Sequence, residues 1–364
     1  MKEKSNKQFM LLSALGIFFV VDMHAGSPFG IFNSIFNYES FFMQMFVFIS
    51  GYFFREKNLQ TPLKYIWKNT VKLIIPFFLI NAVYVCLIML SKLYNPQITW
   101  DYRFSILNEG RDTVFTLPAW FVPMLYFVIV TYTLLRLIFR KWNGIIAFAV
   151  MAVMGMVSVY FSRSNYNDQY TVLILKIVFF IQFYELGVLY RSKLENYFKK
   201  ASKLKMMLFC TVANIVMIAV TGNKIPCHYL YKMKGFMTDI YIMPLFTAVT
   251  GICFWLCITE WLAPALGNVG IINYISNHTF AIMFHHIGFF TVLAYILSKI
   301  PFAKAFDYKQ FYANAGWYKY PAFEGVKFLY VIFAFAGCLL LCFIWDKIKK
   351  GVQRKKWDSP ENKQ

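Results

Sequence analysis

The sequence is poor in charged residues, above all in acidic ones. Only 15% of its 364 residues are Asp, Glu, Lys or Arg, and 17 acidic residues stand against 37 basic ones. A soluble chain usually carries about 25% charged residues, so this chain cannot enclose its apolar side chains in one water-facing domain. Instead 59% of the residues are hydrophobic and 20% are aromatic, as in bilayer-spanning helices with interfacial aromatic belts. The composition excludes a disordered chain, a collagen, a coiled coil and a small disulfide scaffold.

Common signatures of soluble enzymes are also missing. The sequence has no Gly-x-Ser-x-Gly nucleophile motif, no P-loop and no glycine fingerprint for dinucleotides. Six of its seven cysteines fall within apolar segments, and the pairs Cys253/Cys257 and Cys338/Cys342 have no nearby histidine to complete a metal site. We interpret them as small apolar core residues and predict no bound metal.

Ten segments are long and apolar enough to cross a bilayer, which takes about 20 residues in a helix. The predicted spans are approximately 8–25, 38–54, 72–92, 117–138, 144–162, 170–190, 206–222, 239–259, 274–297 and 326–345. The predicted fold class is therefore all-α, a polytopic membrane bundle of about ten transmembrane helices. Residues 1–346 are predicted to form a single transmembrane domain, and residues 347–364 a basic cytoplasmic tail.

The distribution of basic residues predicts the orientation of the bundle. If the chain begins in the cytoplasm, the inner loops and ends hold roughly twice as many Lys and Arg residues as the outer loops. Because the number of spans is even, we predict that both termini are cytoplasmic. The basic residues form short clusters between spans and not one soluble face, which favours contact with membrane lipid and no nucleic-acid partner.

Two histidines lie at similar depth in the predicted membrane. His24 lies about 24 Å along the first span, and His286 about 18 Å along the ninth, which also runs outward. Imidazole suits proton transfer because its ordinary pKa is about 6.5, although a histidine can equally hydrogen-bond between helices for packing. Helical offsets predict that Asp22 faces away from His24, and that only one of His285 and His286 faces a given cleft.

A basic stripe follows the second span. Lys64, Lys68 and Lys72 recur every four residues after Arg55, so a helix would present the three lysines on one side. Such a stripe could hold anionic lipid headgroups, or the phosphates of a cytoplasmic cofactor such as coenzyme A.

Two further features have structural alternatives. Ser50 and Gly51, in the second span, are typical of close contact between helices. Glu185 lies near the inner end of the sixth span, where an ion pair with Arg191 would be a purely structural arrangement.

Five segments together resemble the acyltransferase-3 family of bacterial integral-membrane O-acyltransferases. These segments are Ile17–His24, Phe46–Phe54, Lys64–Pro76, Pro118–Phe121 and Thr279–His286. The resemblance covers nearly the whole chain in order and topology. It implies transfer of an acyl group, usually acetyl, from cytoplasmic acyl-CoA to a glycan hydroxyl at or across the bacterial cytoplasmic membrane. The last segment looks most like members that acylate capsular or exopolysaccharide sugars.

The resemblance also implies roles for particular residues. His24 carries over as the essential histidine and His286 as a second catalytic residue. The predicted binding residues for the acetyl-CoA donor are Arg55, Lys68, Lys72, Ser50 and Gly51. Trp120 and Glu185 are predicted to contact the substrate, a glycan or a lipid-linked saccharide. The chain departs from the family where Ser13 replaces a common arginine, and where lysines replace arginines of the basic helix and so lose the bidentate grip on phosphate.

Two other functions are compatible with parts of the sequence. A transporter or flippase for a lipid-linked sugar could use the buried histidines as a proton relay. Inverted repeats with paired broken helices would favour transport, and none is evident in the sequence. A purely structural assembly subunit would account for the spans but not for the histidines. We therefore predict a membrane-bound sugar O-acetyltransferase.

Overall fold

The computed structural model describes residues 6–30, 32–91, 114–163, 169–222, 227–229, 233–236, 239–299 and 326–357. These residues form an all-α bundle with one short antiparallel hairpin. Its helices are α1 (Lys7–His24), α2 (Tyr38–Tyr52), α3 (Pro62–Asn69), α4 (Ile75–Ser91), α5 (Phe121–Ile138), α6 (Gly144–Ser162), α7 (Gln169–Leu189), α8 (Glu195–Lys200), α9 (Lys203–Thr221), α10 (Met243–Leu266), α11 (Gly270–Asn277), α12 (Thr279–Ser298) and α13 (Lys327–Trp357). The hairpin pairs β1 (Cys227–Tyr229) with β2 (Lys234–Phe236).

Within the described residues, nine helices are long and apolar enough to cross a membrane. They are Lys7–His24, Pro62–Leu87, Pro118–Ile138, Gly144–Ser162, Tyr170–Lys200, Lys203–Thr221, Met243–Leu266, Thr279–Leu297 and Lys327–Gly351. The tenth predicted span, at 38–54, corresponds to α2, which is apolar but has only 15 residues and is therefore not among the nine. The predicted all-α polytopic bundle is thus confirmed, while its orientation in the membrane stays a prediction.

The bundle is assembled around α1. This helix packs against α2, α10, α11, α12 and the start of α13. Its buried side is apolar and aromatic: the Phe19 ring lies 4.8 Å from the Tyr38 ring and 4.6 Å from the Trp255 ring, centroid to centroid. Because α1 is enclosed on several sides, a side chain at its end is held by neighbours from distant parts of the sequence.

Glycines allow α2 and α7 to cross in close contact. A Cβ atom added at Gly51 would lie 2.0 Å from the carbonyl oxygen of Tyr184, and one at Gly187 would lie 2.1 Å from that of Phe48. Carbon and oxygen atoms cannot approach so closely, so both positions require the absence of a side chain. Gly51 therefore has the helix-packing role that the sequence allowed for it.

Two π-helical turns widen long helices of the bundle. Thr70–Ile74 joins α3 to α4, and Tyr190–Leu194 joins α7 to α8. A π-helical hydrogen bond spans one residue more than an α-helical one. The turn at Thr70–Ile74 therefore shifts Lys72 around the helix axis relative to Lys68. Both lysines are exposed.

The last helix extends beyond its predicted span. Residues 347–357 of the predicted cytoplasmic tail continue α13, which ends at Trp357. Residues 358–364 of that tail lie outside the described residues.

Candidate active site

The first helix ends at His24 because a glycine follows it closely. Gly26 adopts a positive φ of 87°, and its N–H donates to the Met23 carbonyl at 3.0 Å. The Ser27 N–H donates to the Asp22 carbonyl at 2.8 Å, which completes a Schellman motif. His24 is therefore the last residue of α1, at the helix end where the carbonyl dipoles favour a positive charge.

Asp22 holds the chain that leaves this helix end. Its side chain is fully buried, and its Oδ1 accepts a hydrogen bond from the Phe29 N–H at 3.1 Å. The carboxylate thus binds the outgoing loop, on a side of α1 different from that of His24, as the helical offset predicted. It orders the backbone that follows His24.

The two histidines singled out in the sequence meet in the structure. His286 Nε2 lies 3.2 Å from His24 Nδ1, and the two rings are 5.0 Å apart at an angle of 46°. His286 is fully buried within α12, whereas His24 is partly exposed. The contact joins residues separated by 262 positions, at the comparable depth that their helical offsets predicted.

Backbone carbonyls fix the tautomers of both rings. His24 Nδ1 lies 2.8 Å from the Val20 carbonyl oxygen, and His286 Nδ1 lies 2.9 Å from that of Ile282. Since a carbonyl only accepts, we assign a hydrogen to each Nδ1. In the neutral ring of His286, Nε2 then carries a lone pair. The His24 Nδ1–H is therefore shared between two acceptors, His286 Nε2 and the Val20 carbonyl oxygen. The basic nitrogen of neutral His24 is consequently Nε2.

This arrangement suits a proton acceptor. A neutral His24 can take a proton at Nε2 while its Nδ1–H keeps both acceptors, the Val20 carbonyl and His286 Nε2. The end of α1 adds the favourable dipole for the imidazolium that forms. The pair therefore has the parts of a general base with an orienting partner.

His285 belongs to a different contact. Its Nδ1 lies 2.8 Å from the Tyr84 hydroxyl oxygen, which links α12 to α4. Although adjacent in sequence, His285 and His286 thus face different neighbours. His285 provides a natural control for the chemistry of His286.

A second polar group forms a tyrosine–glutamate cluster, which consists of Tyr65, Tyr132, Tyr184 and Glu185. The Tyr132 hydroxyl donates to Glu185 Oε2 at 2.6 Å, and the Tyr65 and Tyr184 hydroxyls lie 3.2 Å apart. Glu185, Tyr132 and Tyr184 are fully buried. Glu185 is thus bound to a phenol of α5, whereas Arg191 donates to the Phe54 carbonyl at 3.3 Å.

The cluster and the histidine pair lie at opposite ends of the bundle. Phe9, in the first turn of α1, stacks on Tyr52 at the end of α2 with ring centroids 3.7 Å apart. Two residues further, the Phe54 ring lies 5.2 Å from the Tyr132 ring of the cluster. From Phe9 to His24 the helix rises about 22 Å.

Several predicted donor-binding residues lie on the cluster side of the bundle. Arg55 follows Phe54 directly, and Lys68 lies one turn after Tyr65 on α3. Lys72 is exposed within the adjoining π turn. Ser50 hydrogen-bonds through its hydroxyl to the Phe46 carbonyl at 2.9 Å. Their predicted contact with a donor stays a prediction.

Trp120 packs against a lysine that the sequence did not single out as a site residue. Lys176 Nζ lies 5.2 Å from the centre of the Trp120 ring, and the lysine is fully buried within α7. Its signal in the sequence is a cation inside an apolar span, which is costly unless it serves a purpose. The structure thus places the two predicted substrate-binding residues in separate contacts, Trp120 with Lys176 and Glu185 with Tyr132.

A comparison with protein families gives one match. The model of a family of integral-membrane acyltransferases, described as an acyltransferase domain, matches residues 8–346. No curated protein and no solved structure matches the chain. The matched range runs from the first turn of α1 into α13, so it includes both histidines and the tyrosine–glutamate cluster.

Proposed function

Because the chain belongs to the acyltransferase-3 family, we propose that it transfers an acetyl group from cytoplasmic acetyl-CoA to a hydroxyl of a cell-surface glycan or its lipid-linked precursor. The observation that carries this proposal is the 3.2 Å contact between His286 Nε2 and His24 Nδ1. The contact leaves His24 Nε2 as the basic nitrogen, which is what activation of a hydroxyl requires.

The proposed reaction is a direct acyl transfer. The acceptor hydroxyl gives its proton to His24 Nε2 as its oxygen attacks the thioester carbonyl. When the carbon–sulfur bond breaks, the imidazolium returns the proton to the departing thiolate. The products are the O-acetyl ester and free CoA, and His24 is again neutral. Transfer of the acetyl group to His24 Nε2 and from there to the hydroxyl would use the same nitrogen.

His286 has a positioning role in this proposal. Its Nδ1–H is held by the Ile282 carbonyl, so its Nε2 always presents a lone pair to His24. That acceptor keeps the hydrogen of His24 on Nδ1 before the reaction and stabilises the imidazolium during it. The role resembles that of the carboxylate in a hydrolase triad, but with a neutral partner.

The donor is proposed to enter from the side of the tyrosine–glutamate cluster. Arg55, Lys68 and Lys72 supply cations at this end for the phosphates of acetyl-CoA, next to Ser50 and Gly51. In the predicted orientation this end faces the cytoplasm of a bacterium, where acetyl-CoA is found, and the histidine pair lies toward the outer face. Exposed apolar side chains on α4 and α9 would contact membrane lipid.

The function is tested by proton NMR of the surface polysaccharide of the host. A deletion strain is complemented with the wild type, with His24→Ala or with His285→Ala at matched protein abundance. We expect O-acetyl signals with the wild type and with His285→Ala, since the His285 imidazole hydrogen-bonds to Tyr84. His24→Ala should give none. Equal signals from all strains, or none from any, would favour the transporter.

A further inference from the structure

Ser27, three positions after His24, has a backbone conformation that serine seldom adopts. Its φ is 56°, in the left-handed region that favours glycine. The next residue is Pro28, and a residue before proline favours an extended conformation instead. Strained residues of this kind concentrate at functional sites. Because a glycine would adopt the same conformation without strain, the serine points to a use for its hydroxyl.

The strained residue is held in place through Asp22. The Ser27 N–H donates to the Asp22 carbonyl at 2.8 Å, and the Phe29 N–H donates to Asp22 Oδ1 at 3.1 Å. The Gly30 N–H in turn donates to the Ser27 carbonyl at 3.1 Å. These bonds keep Ser27 beside the last turn of α1, the turn that ends at His24. The loop is therefore ordered relative to the proposed base.

The side chain of Ser27 is accessible from outside the bundle. Both His24 and Ser27 are partly exposed. A Cβ atom added at Gly30 would lie 3.2 Å from Ser27 Cβ, so the glycine keeps a second side chain away from the serine. The hydroxyl of Ser27 thus lies at the same open end of the protein as His24.

An aromatic ring lies two residues further along this loop. The Phe29 side chain is 40% exposed, and its ring packs 5.9 Å from the Phe18 ring of α1 at an angle of 50°. The Phe29 backbone is fixed by Asp22 at the same time. The loop after His24 therefore presents a hydroxyl and an aromatic ring in fixed positions.

This combination of groups suits a sugar ring. A serine hydroxyl both donates and accepts hydrogen bonds, as the hydroxyls at the edge of a sugar do. The faces of a sugar ring carry C–H groups, which pack on the electron-rich face of an aromatic ring. A lipid chain would use the aromatic ring but not the hydroxyl. The position beside His24 is where the acceptor of the proposed reaction has to lie.

We propose that residues 26–30 form the acceptor subsite. In it, Ser27 Oγ hydrogen-bonds to a sugar hydroxyl next to the one that reacts at His24, and the Phe29 ring packs on the face of the sugar. This inference rests on the proposed function, because it assigns a site to the proposed glycan acceptor. It makes Ser27 and Phe29 determinants of acceptor binding, separate from the histidines that carry the chemistry.

The test is a steady-state assay of the purified full-length protein in lipid nanodiscs with labelled acetyl-CoA. The acceptor probe is the combined glycan and glycolipid extract of the deletion strain, titrated by its total sugar content. In Ser27→Ala the KM for this extract should rise about threefold to tenfold, as expected for the loss of one hydrogen bond. The kcat should change by less than about twofold, because the bond is present in both the bound substrate and the transition state.

Ser27→Gly separates the role of the hydroxyl from that of the backbone. Glycine relieves the strain, so this variant should unfold about 1 °C or more above Ser27→Ala. Its KM should nevertheless rise as in Ser27→Ala, because both variants lack the hydroxyl. Ser34→Ala is the matched control, since Ser34 is an exposed serine seven residues further along the chain, and it should keep the wild-type KM.

Two variants of Phe29 distinguish a sugar platform from a lipid contact. Phe29→Leu keeps an apolar side chain for lipid but has no flat face, so its KM should rise. Phe29→Tyr keeps the ring and should keep the wild-type KM. A wild-type KM in Phe29→Leu would exclude the ring from the subsite.

Failure of the subsite and failure of the proposed function give different results. If the wild type transfers no label to any component of the extract, the proposed function is wrong. If the wild type transfers label but Ser27→Ala and Ser34→Ala have the same KM, the acceptor subsite is wrong. A lower kcat with an unchanged KM in Ser27→Ala would also overturn the subsite, because the loop would then serve only to position His24.

Discussion

At the scale of single residues, the chemistry of His24 depends on which of its nitrogens carries a hydrogen. The Val20 carbonyl and His286 Nε2 both lie within hydrogen-bonding distance of Nδ1. Both act as acceptors, so they keep the hydrogen on Nδ1 and leave the lone pair on Nε2. The two partners are redundant for the tautomer, but only His286 is a side chain that can be replaced.

Replacement of the two histidines should therefore have unequal effects. His24→Ala removes the base and should lower the rate of acetyl transfer about 10²- to 10⁴-fold. His286→Ala should lower it less, about tenfold to a hundredfold, because Val20 still orients the ring. Initial rates in isolated membranes, normalised to protein abundance, measure both. A larger loss with His286→Ala than with His24→Ala would reverse the roles assigned to the pair.

The rate should also depend on pH with a defined sign. Only neutral imidazole accepts a proton, so kcat/KM should fall as the medium is acidified and His24 becomes protonated. On the acidic side the logarithm of kcat/KM should change by about one per pH unit. A pH–rate profile between about pH 5 and about pH 8, the range in which histidines ordinarily change charge, provides the measurement. A rate that rises on acidification would mean that protonated His24 acts as an acid.

At the scale of elements, the crossing of α2 and α7 connects the two ends of the protein. α2 packs against both α1 and α10, and α7 carries Lys176 and Glu185. The close approach at Gly51 and Gly187 thus sets the position of the tyrosine–glutamate cluster relative to α1. A side chain at either glycine would push the two helices apart.

Gly51→Ala and Gly187→Ala should both destabilise the protein. In each variant the added methyl group would overlap a backbone carbonyl, and overpacking of this kind costs about 1–3 kcal/mol or more. Thermal unfolding of the purified variants measures the effect. Gly270→Ala is the control, since among the described residues nothing outside its own turn of helix lies within 4 Å of a Cβ atom placed there. Wild-type stability in Gly51→Ala would show that the crossing is looser than described.

At the scale of the whole molecule, the proposed activity requires the two ends of the bundle to face opposite sides of the membrane. The proposed donor side holds the tyrosine–glutamate cluster, and the histidine pair lies about 22 Å of helix away along α1. The basic inner loops predict which end is cytoplasmic. That orientation decides whether acetyl-CoA can reach the donor side.

Cysteine labelling should establish this orientation. Cys227 lies in the hairpin between α9 and α10, which the predicted topology places outside. We expect a membrane-impermeant maleimide to label Cys227 in intact cells, with Cys227→Ser abolishing that signal. Lys193→Cys, made in the Cys227→Ser background, should react only after the membrane is permeabilised. The opposite pattern would invert the topology and contradict entry of the donor at the cluster.

The sequence alone determined the class of the fold and the residues worth examining. Long apolar segments can only satisfy their backbone in a bilayer as helices, so composition and segment length led directly to an all-α bundle. The rise of an α-helix then gave His24 and His286 similar depths. The sequence also identified lysine and histidine residues within apolar spans as functional candidates, because an ionisable side chain in a membrane is energetically costly.

Rotation of the helices, and thus the choice between His285 and His286, was decided only by the tertiary structure. α12 is apolar on all sides, so its sequence contains no signal for the face that meets α1. The same holds for α7: the segment around Glu185 does not indicate that Tyr132 binds one of its carboxylate oxygens. These features arise from packing between helices distant in sequence, whose contacts depend on the complementary shapes of both surfaces, whereas depth and helicity follow from the local chain alone.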